Sequence, residues 1–417
     1  MLTLLKSINK KYIIFSVNFI VFSFFITVLS FKKGYSYVPM LLAIISVIYM
    51  AIYYVVTKQK LEFNREDKWL ILSFIAYFCS FLISIIVHSD GIREIDNPSR
   101  VLLFIPLILF FTHFPIKFKT LSYAIPAGST VAGLLAIYHK FILHLELPFP
   151  EIMRIQAGNI AVTLGSMSLV IAIYWGINKN YKLMVFSLIS ACLGILASGL
   201  SGARGGWIGL PFIIAIILFF TYLHLSKKLV LGMFVSLLLS ATAIIAVPQT
   251  NVAERIDIAY QEVNSFFEKN HRHTSLGARF DMWNSALLGI KEKPILGWGN
   301  KGYQELKKEQ FNRKIIIENT LGFNDAHNQY LDSWVKRGIV GLISFLLILF
   351  VPLFLFYKNI KSTSLEIKTT AVLGIIFVIS TMFYSLSQTF LAHNSGSIFY
   401  FFLIVLIYSS LKNLISK

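Results

Sequence analysis

The chain has 417 residues, 56% of them hydrophobic and 14% charged, with a mean hydropathy of +0.70. That composition excludes a soluble globular domain and demands membrane helices. The net charge of +18 would suit a nucleic-acid binder on a polar surface, but here it sorts by side of a membrane, so no nucleic-acid partner is expected.

Apolar runs near twenty residues predict about twelve transmembrane helices, at 13–31, 35–56, 69–87, 101–115, 121–143, 159–177, 183–200, 207–223, 229–247, 338–356, 369–387 and 397–411. The expected fold is an all-α integral membrane protein in three parts. Residues 1–247 hold spans one to nine with short loops, 248–337 form a large, mostly helical outer loop domain, and 338–417 hold spans ten to twelve. The first run lacks a small-residue cleavage site and reads as an anchor. Cys79 and Cys192 both fall inside apolar runs, so neither a disulfide framework nor a zinc site is implied. Lysines such as Lys10, Lys11, Lys58, Lys117, Lys228, Lys358 and Lys412 gather on one side, which the positive-inside rule makes cytoplasmic, together with both termini. Every arginine but Arg65 falls on the other side. Topology needs only positive charge, which lysine supplies, whereas a planar fork that grips phosphate or carboxylate needs arginine. The outer face is therefore expected to handle an anionic substrate.

Taken in order, the outer segments bring Arg100 first, in the opening turn of span four after Pro98 and Ser99. A helix start favours anions, so this cation either holds one or pairs with Asp96. Arg154 precedes a Gly158-Asn159 helix start in the same way, with headgroup snorkelling as the bland reading for it and for Lys140. Between spans seven and eight lies Ser198-Gly-Leu-Ser-Gly-Ala-Arg204-Gly-Gly-Trp207. Glycines that let backbone N–H groups approach a ligand, beside an arginine, make an anion cradle; close packing of two hairpin helices is the alternative. Within the outer domain, apolar spacing predicts an amphipathic helix over 252–269. A second helix, capped by Thr274 or Ser275, is expected to carry Phe280, Trp283, Leu287 and Ile290 on one face with Arg279 beside Trp283. Lysines 301, 307, 308 and 314 read as a solvated or headgroup-facing surface. A third helix is expected from Asn324-Asp325 into span ten, with His327 in its first turn. The positive helix end there disfavours imidazolium and leaves a neutral base. Arg337 follows at the membrane boundary, and His393 in the last outer loop is the second candidate base. No Asp-x-Asp motif, P-loop or dinucleotide fingerprint occurs, so no metal and no cofactor is expected.

The blocks Ser198 to Trp207, Ser275-Leu-Gly-Ala-Arg279-Phe-Asp-Met-Trp283 with Pro294-Ile-Leu-Gly-Trp-Gly299, and His327-Asn-Gln-Tyr-Leu followed by Gly338-Ile-Val-Gly341 resemble the O-antigen ligase and polymerase superfamily. The resemblance implies a fold like that of polytopic C-type glycosyltransferases. It also implies transfer of a glycan from undecaprenyl pyrophosphate to a sugar of the lipid A core, in the periplasm of a bacterial inner membrane, with inversion and without metal or nucleotide. The family's essential histidine maps to His327 and its two essential arginines to Arg204 and Arg279. Arg100, Arg154 and Arg337 are further candidates for substrate binding. Oligomeric state is open. An O-antigen polymerase using the same donor is the nearest alternative, then a protein O-oligosaccharyltransferase. A lipid-linked oligosaccharide flippase is the alternative from another class, disfavoured because transporters place ionisable groups at mid-membrane and in repeated halves.

Overall fold

A computed structural model describes residues 10–58, 62–207, 209–222, 231–232, 235, 242, 252–269 and 271–416. Among these residues the protein is helical, with ten helices long and apolar enough to cross a membrane. They are α1 (Lys10–Thr27), α2 (Gly34–Thr57), α3 (Arg65–His88), α4 (Asp96–His113), α5 (Phe118–Ile137), α6 (Arg154–Ile177), α7 (Tyr181–Leu200), and then, after the outer domain, α13 (Gln329–Tyr357), α14 (Leu365–Ser387) and α15 (Asn394–Ile415). The expected eighth span corresponds to the shorter α8 (Leu210–Tyr222), and the expected ninth, 229–247, falls almost wholly outside the described residues. The outer helices are α9 (Val252–Lys269), α10 (Ser275–Glu292), α11 (Gly299–Asn312) and the single turn α12 (Glu318–Leu321).

Burial sorts the spans. α6, α14 and α15 are apolar on every side and buried on nearly every side, as a helix at the centre of a bundle must be. α1 and α2 instead leave Phe15, Phe19, Ile44 and Val55 exposed to lipid. α6 lies flush on α7 because both surfaces are small: a Cβ on Gly194 would come 2.8 Å from the Gly165 Cα. In lipid, where apolar side chains gain nothing by leaving the tails, such close backbone approach is what holds helices together. At the end remote from the outer domain, α3 starts with a reciprocal cap. Asn64 Oδ1 accepts the Asp67 N–H at 2.7 Å, and Asp67 Oδ2 accepts the Asn64 N–H at 3.1 Å. The same buried carboxylate accepts Tyr408 O–H at 2.8 Å and Lys412 Nζ at 2.7 Å, tying α3 to α15.

The outer helices have their own small core of Ala286, Ile290, Tyr303, Leu306, Ala326 and Val335. Thr274 caps α10, its hydroxyl accepting the Gly277 N–H at 3.0 Å. Of the residues expected on one face of α10, Ile290 is buried and Leu287 exposed, and the buried face is otherwise made of Ala278, Asp281, Met282, Ser285, Ala286 and Gly289. Small residues win because α10 must approach α11 and α13: a Cβ on Gly289 would lie 2.7 Å from Leu306 and 3.0 Å from Val335. Asp281 is buried because it is fully used, accepting Arg272 at 3.0 Å, the Ile317 N–H at 3.0 Å and the Thr320 hydroxyl at 2.8 Å. Arg272 is thereby a structural ion pair.

The outer domain joins the bundle through α13, which runs unbroken from the outer core into the membrane except for a kink at Gly338 (φ 64°, ψ −162°). The Pro294–Gly299 turn is laid against it: Ile339 N–H donates to Pro294 O at 2.9 Å, Trp298 N–H to Val335 O at 2.9 Å, and Trp334 Nε1 to Pro294 O at 3.1 Å. On its far side the turn meets α3, where Asp90 accepts the N–H groups of Asn300 and Lys301 at 2.7 and 3.0 Å. An aspartate at that helix start satisfies orphan amides and the macrodipole together.

Candidate active site

The loop Phe323–Asn328 carries the histidine. Two turn-forming residues, Asn324 and Asp325, open it, and Asp325 Oδ1 accepts the His327 N–H at 2.8 Å. That bond holds His327 in the left-handed region at φ 45°. Asn328 is the true cap of α13, its Oδ1 accepting the Tyr330 and Leu331 N–H groups at 3.0 and 3.2 Å. His327 therefore stands just before the helix and not in its first turn; among the string of capping residues the cap falls on Asn328, about one turn later than Asn324-Asp325.

The loop is fastened from α11 and α13. Lys307 Nζ donates to Phe323 O, Gln304 Nε2 to Asn324 O at 3.2 Å, and Lys336 Nζ to Asn324 O at 2.9 Å. Asp332 accepts Lys336 at 3.0 Å and the Ala326 N–H at 3.3 Å. Lys307, expected on a solvated surface, is 1% exposed. Burial and the neighbouring Lys336 push its ammonium down to about 8, against the pull of Asp332 and Asp325. Its burial is offset by the bond to the Phe323 carbonyl and by the Tyr303 ring, 5.2 Å from the cation.

Electrostatically the site centres on Asp325. Burial lowers the His327 pKa below the ordinary histidine value and the Arg279 charge lowers it further, opposed by Asp325 and Asp332. Neutral histidine is favoured, as expected, but for burial and a cation more than for a helix dipole. The imidazole stands edge-on to Phe323 at 5.2 Å, and its Nδ1 is buried without a hydrogen bond, 3.8 Å from Asp325 Oδ1. An N–H on Nδ1 facing that carboxylate leaves the lone pair on Nε2. Burial also lowers His393, which feels Asp325 as a raising and His327 as a lowering charge, so both histidines share one carboxylate. Burial pushes Asp325 itself up, but His327, Lys336 and the His327 N–H hold it below its usual range. The Thr389 hydroxyl lies near that carboxylate without closing a hydrogen bond.

Thr389 leads to the glycine-rich loop. The Arg204–Trp207 turn threads between α6 and α14 so closely that a Cβ on Gly205 would strike the Ser387 hydroxyl, and one on Gly206 would lie 2.8 Å from Asn159 Oδ1. Asn159 Nδ2 in turn donates to Gln388 Oε1 at 3.3 Å. The main chain at Arg204 is thus set beside the 387–389 segment, whose end faces Asp325. Arg154 opens α6 on the same rim, exposed, two residues before Gln156 reaches Phe390 O at 3.2 Å. The structure therefore gathers Arg279, the Arg204 turn, Asp325, His327 and His393. It puts Arg100 and Arg337 on a neighbouring cavity, which Gln329, Asp332 and Lys336 also line. Asp325 beside His393, 68 positions apart, had no local signal in the sequence.

A family model described as O-antigen ligase matches residues 188–346, from α7 through the glycine-rich loop, α10 and the histidine loop into α13. An uncharacterized protein of Haemophilus influenzae is 50% identical over 394 residues, covering 94% of this chain and 98% of its own length. The O-antigen ligase of Escherichia coli is 23% identical over 289 residues, 67% of this chain and 66% of that one. The ComP-specific O-oligosaccharyltransferase of Acinetobacter baylyi is 28% identical over 208 residues, 48% of this chain and 35% of that one. The family match spans the three motif blocks that meet around Asp325, on a scaffold of membrane-crossing helices. Residues 188–346 of this multi-pass membrane protein thus match the O-antigen ligase family, and the likenesses support ligase-type glycosyl transfer.

Proposed function

We propose that the chain transfers a glycan from undecaprenyl pyrophosphate to a sugar of the lipid A core, at the periplasmic face of the inner membrane, with both termini cytoplasmic and residues 248–337 as the periplasmic domain. The observation that carries this reading is a half-buried histidine, its pKa lowered by burial and by Arg279 and its Nδ1 3.8 Å from the Asp325 carboxylate, where the glycine-rich loop arrives. In the reaction the acceptor hydroxyl oxygen bonds to the anomeric carbon from the face opposite the pyrophosphate. Its proton passes to His327 Nε2, and undecaprenyl pyrophosphate leaves with the electron pair. Asp325 keeps the proton of neutral His327 on Nδ1 and steadies the imidazolium that forms. Arg279 and Arg204 hold the pyrophosphate and stabilise the charge growing on it, with Arg154 at the rim of the same cleft.

A protein acceptor is the second reading, favoured by the likeness to the oligosaccharyltransferase. A deletion strain separates the two. Long lipid-linked glycan accumulating over bare lipid A core supports the lipid acceptor. A core capped by a single repeat would point to polymerisation, and an unchanged lipopolysaccharide with a lost glycoprotein to the protein acceptor.

The electrostatics predict a pH signature. Because the base must be neutral and its pKa is lowered, kcat/KM should stay flat through neutrality and fall only below the ordinary histidine value of about 6.5. Asp325→Asn keeps the acceptor oxygen for the His327 N–H but removes the charge that raises the histidine, so the acid limb should move to lower pH while the plateau falls. Arg279→Gln removes a lowering charge and should move the limb up. Acid limbs that coincide in all three proteins would show that His327 is not the titrating base.

A further inference from the structure

We propose that the cavity between Arg100 and Arg337 is a second anion site, which takes the acidic group, phosphate or carboxylate, of the acceptor saccharide. This rests on the lipid-acceptor reading above. The cavity holds about 350 Å³ and lies at the same end of the bundle as His327. Arg337 is 7% exposed, lies 3.9 Å over the Phe81 ring, and donates to Ser333 Oγ at 2.9 Å, while its Nε has no partner. Arg100 donates to Asn394 Oδ1. Neither guanidinium closes an ion pair with any described carboxylate, although acidic side chains line the same cavity. Three of those carboxylates are engaged elsewhere: Asp90 by the amides of Asn300 and Lys301, Glu94 by the Asn300 side chain at 2.9 Å, Asp332 by Lys336 and the Ala326 amide; the fourth, Asp96, lies one turn before Arg100 without closing an ion pair on it.

A buried cation is costly unless its donors are satisfied, and an arginine has five. Two forks left with open donors on one polar cavity specify a bidentate oxyanion. The remaining wall suits sugar hydroxyls, with carboxylate and amide oxygens on one side and the Tyr77 and Phe81 rings on the other. Its position argues for the acceptor and against the donor pyrophosphate, which is assigned to Arg204 and Arg279. Gln329 stands two residues beyond His327, and its Oε1 accepts the Leu391 N–H at 3.0 Å. Both residues of that bond line the cavity, so its wall is continuous along the chain with the histidine loop. A saccharide anchored at the arginines is thereby held next to the loop that carries the base.

The test uses the full-length His327→Ala protein in nanodiscs, which binds without turning over, and purified lipid A core as probe. Adding Arg100→Gln should weaken binding of the lipid A core by about tenfold or more, and leave binding of undecaprenyl-pyrophosphate-linked glycan unchanged. Arg337→Lys, which keeps the charge but loses the fork, should weaken it too; Arg100, only half-buried, guards against misfolding of that variant. In the active protein Arg100→Gln should raise the acceptor KM with donor KM unmoved. Core stripped of phosphate names the source: a loss shared with Arg100→Gln means phosphate, while unaltered binding that Arg100→Gln still weakens means carboxylate. Lipid A core bound as tightly by both arginine variants as by their parent, or donor binding lost in step with it, overturns the inference. If the parent binds no lipid A core and the active protein transfers nothing to it, the acceptor assignment fails first, and this site falls with it.

Discussion

Replacing His327 by alanine is expected to lower the transfer rate by about 10²- to 10⁴-fold, the contribution of a positioned general base. The loss should fall on kcat more than on the KM of either substrate, because the proton moves only in the transition state. Everything that surrounds the ring serves its position and not its binding capacity. Asp325 fixes the backbone turn, Lys307, Gln304 and Lys336 hold the carbonyls before it, and Asn328 starts the helix after it. Folding should therefore survive His327→Ala, and purified protein should run monodisperse with full donor affinity. His393 is the informative comparison. It feels the Asp325 charge and its pKa is likewise lowered by burial, but it caps α15 with its main chain and carries no motif. If His393→Ala abolishes transfer while His327→Ala keeps it, the two histidines exchange roles.

Gly338→Ala is expected to remove the folded protein from the membrane altogether. Its backbone, at φ 64° and ψ −162°, lies in a region that only glycine occupies comfortably, which alone costs about 1–3 kcal/mol for another residue. Sterics add to this: an added Cβ would run into the Ile295 carbonyl and come 2.5 Å from Leu296 N. Gly297 faces it from the other side with φ 74°, and its own Cβ would stand 2.6 Å from Gly338 N. Two glycines thus meet back to back, and neither main chain can withdraw, since hydrogen bonds from Ile339 and Trp298 fasten both strands of the contact. Overpacking at such a point costs about another 1–3 kcal/mol. Gly302→Ala is the control. It sits inside α11 with its nearest neighbour 3.7 Å away, where alanine should be neutral or should stabilise by up to ~1 kcal/mol. Equal thermal midpoints and membrane levels for the two variants would refute the argument.

Hydropathy made the helical membrane fold legible, because each span writes its own signal in adjacent residues. The site was legible in part. Glycine blocks and an arginine on α10 mark places where the main chain must bend or approach, and those constraints are local. What escaped was set by partners far along the chain. Lys307 has the spacing of a surface lysine, and only the Phe323 carbonyl and the Tyr303 ring explain its burial. The buried face of α10 escapes for a related reason: nothing in its own spacing singles out Ala278, Ser285 and Gly289, which proximity to α11 and α13 selects. His327 was placed one turn too deep because Asn324 and Asp325 also look like helix caps, and Asn328 outcompetes them only through its bonds to Tyr330 and Leu331.

The continuity of α13 makes the chain sensitive to counting as well as to chemistry. Each residue advances a helix by about 100° and 1.5 Å. Beyond Gly338 the helix shows lipid one seam, Ile343, Leu347, Phe350 and Phe354, while Phe345, Ile348 and Leu349 face the bundle. Swapping one greasy residue for another along that seam changes little. Inserting or deleting a single residue there would turn the seam inward or swing the histidine loop off the axis of its cleft, like a key cut one notch out of phase. In this part of the chain spelling is forgiving and length is not.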